Sequence, residues 1–273
     1  MVNRQAPHVN SNSNKKMKPF YSVNFNARMC HMKITINEIP LFNMEVDGQC
    51  STRYPFNHLL LESGRATIKY EARPLKGEVQ LRKDAYLSCE VELFDLESAN
   101  YQPISSMASY ETPKTDDTIT PYFMHKDIFQ VNLPYTLGGW KQSVKLDRFD
   151  DQLRPMVFMK YNSIIAMMRN HSFSQYENAF RERESIMGTC LYMSEADKQD
   201  RMKEVREAIL NCSEIVPLSG TDKLELAADG RLVRLVKLDG ESALRVRNDI
   251  EGEVTALELW LHMKPGSTEL TII

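Results

Sequence analysis

From Tyr21 onward apolar and polar residues alternate with a period of two. Val23, Phe25 and Ala27 stand against Ser22, Asn24 and Asn26, and Met32, Ile34 and Ile36 stand against Lys33, Thr35 and Asn37. This alternation predicts strands with one buried face. A turn is expected over residues 37–40, followed by a loop around Asp47 and Gly48. Further strands are expected over 66–73, 79–81 and 85–96; in the last of these Leu87, Cys89, Val91 and Leu93 alternate with Tyr86, Ser88, Glu90 and Glu92. Residues 98–120 turn to Ser, Thr, Pro and Asp and predict a long surface loop, after which 123–133 returns as a strand. Short strands at this spacing, with no helical period between them, predict an all-β antiparallel sandwich over residues 19–145.

Past Lys145 the period changes to three and four. Asp147, Asp150 and Asp151 precede an apolar run in which Val157, Tyr161, Ile164, Ile165 and Met168 share one helix face, with Pro155 expected in the first turn. A second helix is expected over 174–192 on Tyr176, Phe180 and Ile186, with Arg181 to Glu184 turned outward. A third starts at an N-cap Ser194 followed by Glu195 and Asp197, and buries Met202, Val205, Ile209 and Cys212. After Pro217 the two-residue beat returns, punctuated by Asp229-Gly230 and Asp239-Gly240, both strong hairpin signals. A sheet of about five strands covered by the three helices predicts an α+β domain over 146–273. The chain is thus read as two domains behind a disordered polar tail, residues 1–18.

Two resemblances accompany these patterns. The stretch from Pro55 through Leu60, Leu61 and Gly64 to Tyr70 resembles the turn-and-strand segment of galactose-binding-like jelly-roll sandwiches. That resemblance implies a glycine turn at Gly64 and a leucine plug at the end of the core. Three helices followed by an antiparallel meander are similar to the cone-like fold of the nuclear-transport-factor-like superfamily. That similarity implies a pocket between helices and sheet, in a fold whose members include isomerases, dehydratases and binding modules alike.

Composition narrows the function classes. The 273 residues carry a formal net charge of -3, from 34 basic and 37 acidic side chains. Such a balance gives no field to recruit nucleic acid. No run of about 18 apolar residues exists to span a membrane, and the polar N-terminus has no secretory apolar segment. The five cysteines, Cys30, Cys50, Cys89, Cys190 and Cys212, have neither disulfide nor zinc spacing. The expectation is a cytoplasmic protein without metal or cofactor.

No phosphate loop, metalloprotease helix or nucleophile elbow is present. The cluster nearest to chemistry is residues 257–263, where strand alternation places Glu258, Trp260 and His262 on one face. Arg245 and Arg247 share a face of an earlier strand. Facing a cavity, Glu258 and His262 form a general acid/base pair with Trp260 as a wall, and the arginines join as ligand contacts. Facing water, they are ordinary cross-strand charges around a half-exposed aromatic. Loop aromatics Tyr101, Tyr110, Tyr135 and Trp140 are of the type that anchors protein interfaces. The leading expectation is a non-enzymatic protein that binds, docks or neutralises a protein partner. The alternatives are a small-molecule lyase or isomerase working through the C-terminal pocket, and a carbohydrate-binding sandwich.

Overall fold

The computed structural model describes residues 17–98, 102–115, 119–250 and 252–273. Its first half is one antiparallel sheet of six strands: β1 (Pro19–Ile36), β2 (Ile39–Pro55), β3 (Gly64–Arg73), β4 (Tyr86–Asp95), β5 (Ser105–Glu111) and β6 (Phe123–Val131). The two apolar stretches before Asn37 belong to one strand. The buried residues switch from odd positions (Tyr21, Val23, Phe25, Ala27) to even ones (Cys30, Met32, Ile34, Ile36) because Met29 takes a positive φ of 48° and forms a bulge. On one edge β1 pairs with β2 along nearly its whole length; on the other, β4 takes Pro19 to Arg28 and β3 takes His31 to Ile36.

The sheet curls toward a barrel. Its order is β5-β4-β1-β3-β6, with β2 against β1. The outer strands β5 and β6 approach each other where Tyr110 lies against both Tyr70 and its cross-strand partner His125, at 5.3 and 4.8 Å. The long hairpin also folds back on itself. Phe42 and Tyr54 lie on the same strand twelve residues apart, yet their rings meet at 5.2 Å, whereas a straight strand would hold them about 40 Å apart. The expected loop at Asp47-Gly48 is therefore strand, and Gly48 supplies a φ of +130° within it. The expected loop 98–120 contains β5, an edge strand too exposed to show a clear alternation. The expected strand 79–81 is irregular chain. Leu60 and Leu61 do plug the core beside Gly64, whose φ is +140°.

The second half holds α1 (Asp150–Arg169), α2 (Phe173–Cys190) and α3 (Glu195–Asn211), then seven short strands: β7 (Glu214–Ile215), β8 (Lys223–Ala227), β9 (Leu232–Val236), β10 (Arg245–Asn248), β11 (Glu253–Ala256), β12 (Leu261–Met263) and β13 (Leu270–Ile272). They form two sheets, β11-β10-β7 and β13-β12-β9-β8. The single meander expected from the cone-like resemblance is therefore divided. Helix α1 starts at Asp150, so Pro155 lies one turn deeper than its first turn. α3 opens with a reciprocal capping box between Ser194 and Asp197.

Two apolar clusters result. One fills the near-barrel, and the other lies among α1, α2 and the small sheets. The first also takes Ile186 and Cys190 from α2, Leu232 from β9 and the terminal Ile273, so the halves share a packed seam. No helix among the described residues is long and apolar enough to cross a membrane.

Candidate functional site, a cavity at the seam

A cavity of about 490 Å³ opens along this seam, within the range of sites that enclose small organic molecules. The folded-back hairpin supplies one wall through Leu41, Phe42, Met44 and Tyr54, with Trp140 beside it. Helix α2 supplies another through Arg183, Ile186, Met187 and, at its C-cap, Leu191, positions three and four apart that share one face. β9, β11 and the chain leading into β12 close the far side with Leu232, Arg234, Ala256, Glu258 and Trp260.

Two buried polar residues set this geometry. Tyr161 of α1 donates its hydroxyl proton to the Leu259 carbonyl at 2.6 Å and accepts the Leu235 N–H at 3.0 Å. Leu259 is thereby pinned in the core, and its neighbours Glu258 and Trp260 face the cavity. Across the seam, the Asn57 side chain accepts the Tyr21 N–H at 2.6 Å and donates to the Pro19 carbonyl at 3.0 Å. It anchors the short 3-10 turn that carries His58 to the cavity wall.

The charged groups divide into two sets. Arg234, 5% exposed, is saturated: it donates to Glu225 at 2.7 Å and to both Glu258 oxygens at 2.8 and 2.6 Å, and its guanidinium lies 4.6 Å from the Trp260 ring centre. The other set is short of negative charge. Arg201 holds Glu184 at 2.8 Å, while Arg183 reaches that same carboxylate only at 3.6 Å. Burial lowers the pKa of Arg183 below the usual guanidinium value. Burial, with the charges of Arg183 and Arg201, pulls His58 down to about 4, so its imidazole is neutral at physiological pH.

The expected site residues scatter. Glu258 and Trp260 reach the cavity, but His262 does not. It is 1% exposed, with Nδ1 at 2.7 Å from Ser143 Oγ and Nε2 at 3.7 Å from Glu182. The ladder of β12 begins only at Leu261, and the Val144 N–H to Met263 carbonyl bond lays Ser143 over this histidine. The Glu258/His262 acid/base pair is therefore not assembled. Arg245 and Arg247 sit on β10 in the other sheet, where they pair with Asp239 and Glu214. Tyr110 packs against the Tyr70 and His125 rings, Tyr135 packs on Tyr192 and Asn57, and Trp140 is 8% exposed, so none projects as an anchor. Tyr101 lies outside the described residues.

Sequence reading passed over His58, Arg183, Arg201 and Arg234. Arg234 carried a signal: it is the one charge in Leu232–Val236, a strand buried throughout. Arg183, expected to face outward, precedes Ile186 and Met187 by three and four residues and so shares their face. Among the described residues no group of three or more His, Cys, Asp or Glu side chains is placed to hold a metal ion. Comparison with known protein families, curated proteins and solved structures found no match.

Proposed function

We propose that this protein binds a small, largely apolar organic molecule in the seam cavity. The observation that carries this reading is the cavity itself: about 490 Å³, with Leu41, Phe42, Met44, Met187 and Trp260 on its walls. Methionines and aromatics together suit an apolar ligand of variable shape. The lyase or isomerase alternative loses its acid/base pair to the burial of His262. The protein-partner reading loses the anchors Tyr110, Tyr135 and Trp140 to internal packing. A carbohydrate platform has little to build on, because the well-exposed tyrosines among the described residues, Tyr54 and Tyr122, belong to different segments.

N-phenyl-1-naphthylamine, an uncharged fluorescent amine that brightens in apolar sites, tests the reading. Saturable binding at one site per chain is expected. Ala256→Trp, which places an indole in the cavity from the end of β11, should abolish it while the circular dichroism stays unchanged. Absence of saturable binding, or binding indifferent to A256W in a folded variant, overturns the reading.

A further inference from the structure

The cavity is not uniformly apolar, and its charges are unevenly paired between its two ends. At the Arg234 end, Arg234 is paired with Glu225 and with the lining carboxylate Glu258, and Glu241 adds a second carboxylate to the lining. At the other end Arg183 and Arg201 have one carboxylate, Glu184, within ion-pair distance, and Glu258 acts on Arg183 from farther off. The groups facing His58 there are these same two guanidiniums, from α2 and α3, and their field opposes its protonation. Within ion-pair distance, positive charge therefore exceeds negative by one at this end alone.

Arg183 is the less satisfied of the two. A guanidinium has five N–H donors in a planar fork. Among the described residues, those of Arg183 have the 3.6 Å ion pair with Glu184, while its Cζ lies 5.6 Å from the Phe180 ring centre. Roughly a quarter of the side-chain surface, 24%, is still accessible, and the residue lines the cavity. A charge that has lost most of its water without gaining a close partner is costly, and an oxyanion delivered by a ligand would supply bidentate acceptors.

Building on the cavity reading above, we propose that the ligand is an amphipathic monoanion whose head sits at Arg183 and Arg201, with its apolar body running toward Trp260. A carboxylate, sulfonate or sulfate ester satisfies this chemistry. A neutral imidazole at His58 adds a hydrogen-bond donor beside the head, and the saturated Arg234 leaves the opposite end for uncharged groups. A dianionic head is disfavoured, since it would carry one negative charge more than the Arg183 and Arg201 end leaves unpaired. A cationic head meets like charge.

Displacement of bound N-phenyl-1-naphthylamine by decane-1-sulfonate, 1-decanol and decylammonium, three probes with one alkyl body, separates the head-group claim from the cavity reading. The sulfonate should displace the reporter at least tenfold more tightly than the alcohol, as a charge-assisted pair in a partly buried site provides. Decylammonium should be weakest. In Arg183→Met the sulfonate should fall to the level of the alcohol while the alcohol keeps its own affinity. Equal displacement by sulfonate and alcohol, displacement by neither, or a preference that survives R183M overturns the head-group assignment and leaves the cavity reading intact. Failure of the reporter to bind at all removes both. Should R183M fold poorly, the sulfonate-to-alcohol ratio of the unaltered protein still decides the point.

Discussion

Replacement of Tyr161 by Phe removes one oxygen from the centre of the second half. That oxygen is fully buried, donates to the Leu259 carbonyl at 2.6 Å and accepts from the Leu235 N–H at 3.0 Å. Phenylalanine fills nearly the same volume, so the cavity term for lost packing is small and the cost is that of two backbone groups left without this partner. A net hydrogen bond contributes about 1 kcal/mol, and a buried group left unsatisfied costs about 1–3 kcal/mol. Two such groups place the loss at about 2–6 kcal/mol. Guanidinium denaturation should show the midpoint falling with an unchanged slope, as for a mutation that alters stability alone. The same change frees the chain at Leu259, so reporter affinity at the seam should weaken as well. A loss below about 0.5 kcal/mol would refute the argument that Tyr161 is the pin of this region, as would an unaltered affinity in a destabilised variant.

Three further expectations follow from individual polar groups. His58 has a folded pKa of about 4 and His262 is also held below its usual value by burial, so both are neutral in the fold and bind protons more readily when unfolded. Stability should therefore be full above about pH 6.5 and decline as the pH falls from there toward 4, by up to about 2 kcal/mol at pH 5 for His58 alone. Denaturation midpoints at pH 7.5 and 5.0 test this, and a His58→Gln protein that retains the whole decline would contradict it. Asn57→Ala strands the Tyr21 N–H, while the Pro19 carbonyl keeps the Tyr192 hydroxyl at 3.1 Å, and should cost about 1–3 kcal/mol by the same denaturation measurement. Ser194→Ala removes the capping box of α3 and should cost about 1 kcal/mol, with reporter binding unchanged.

What could be read from the chain depended on how far apart the interacting residues lie. The alternation at Tyr21 to Ile36, the helical stripe from Val157 to Met168 and the Ser194 cap are local, and each reappears in the fold. The bulge at Met29 is written in the sequence as a change of phase, which by local pattern alone looks the same as a break between two strands. The cavity is different in kind. It exists because Phe42 and Tyr54 are brought together by a hairpin folding back, and because α2 packs over that fold. No local period encodes either event. His262 shows the same limit: alternation put it beside Glu258 and Trp260, but Ser143, 119 residues earlier, covers it. Single charges inside apolar surroundings were the legible trace of the site. Arg234 in Leu-Val-Arg-Leu-Val and Arg183 beside Ile186 and Met187 each place a cation on a buried face, where cations are rare without a partner.

The central claim, that the seam cavity is a ligand site, is tested most directly by methyl NMR of protein labelled at methionine and isoleucine, titrated with N-phenyl-1-naphthylamine. Met44, Met187, Ile39, Ile186 and Ile273 line the cavity, whereas Met32 and Met168 are sealed in the two cores. Saturable shifts concentrated on the five lining residues, with Met32 and Met168 unmoved, are the predicted result. Shifts centred on exposed methyls such as Met159 or Ile250, or no saturable shifts at all, would contradict the account.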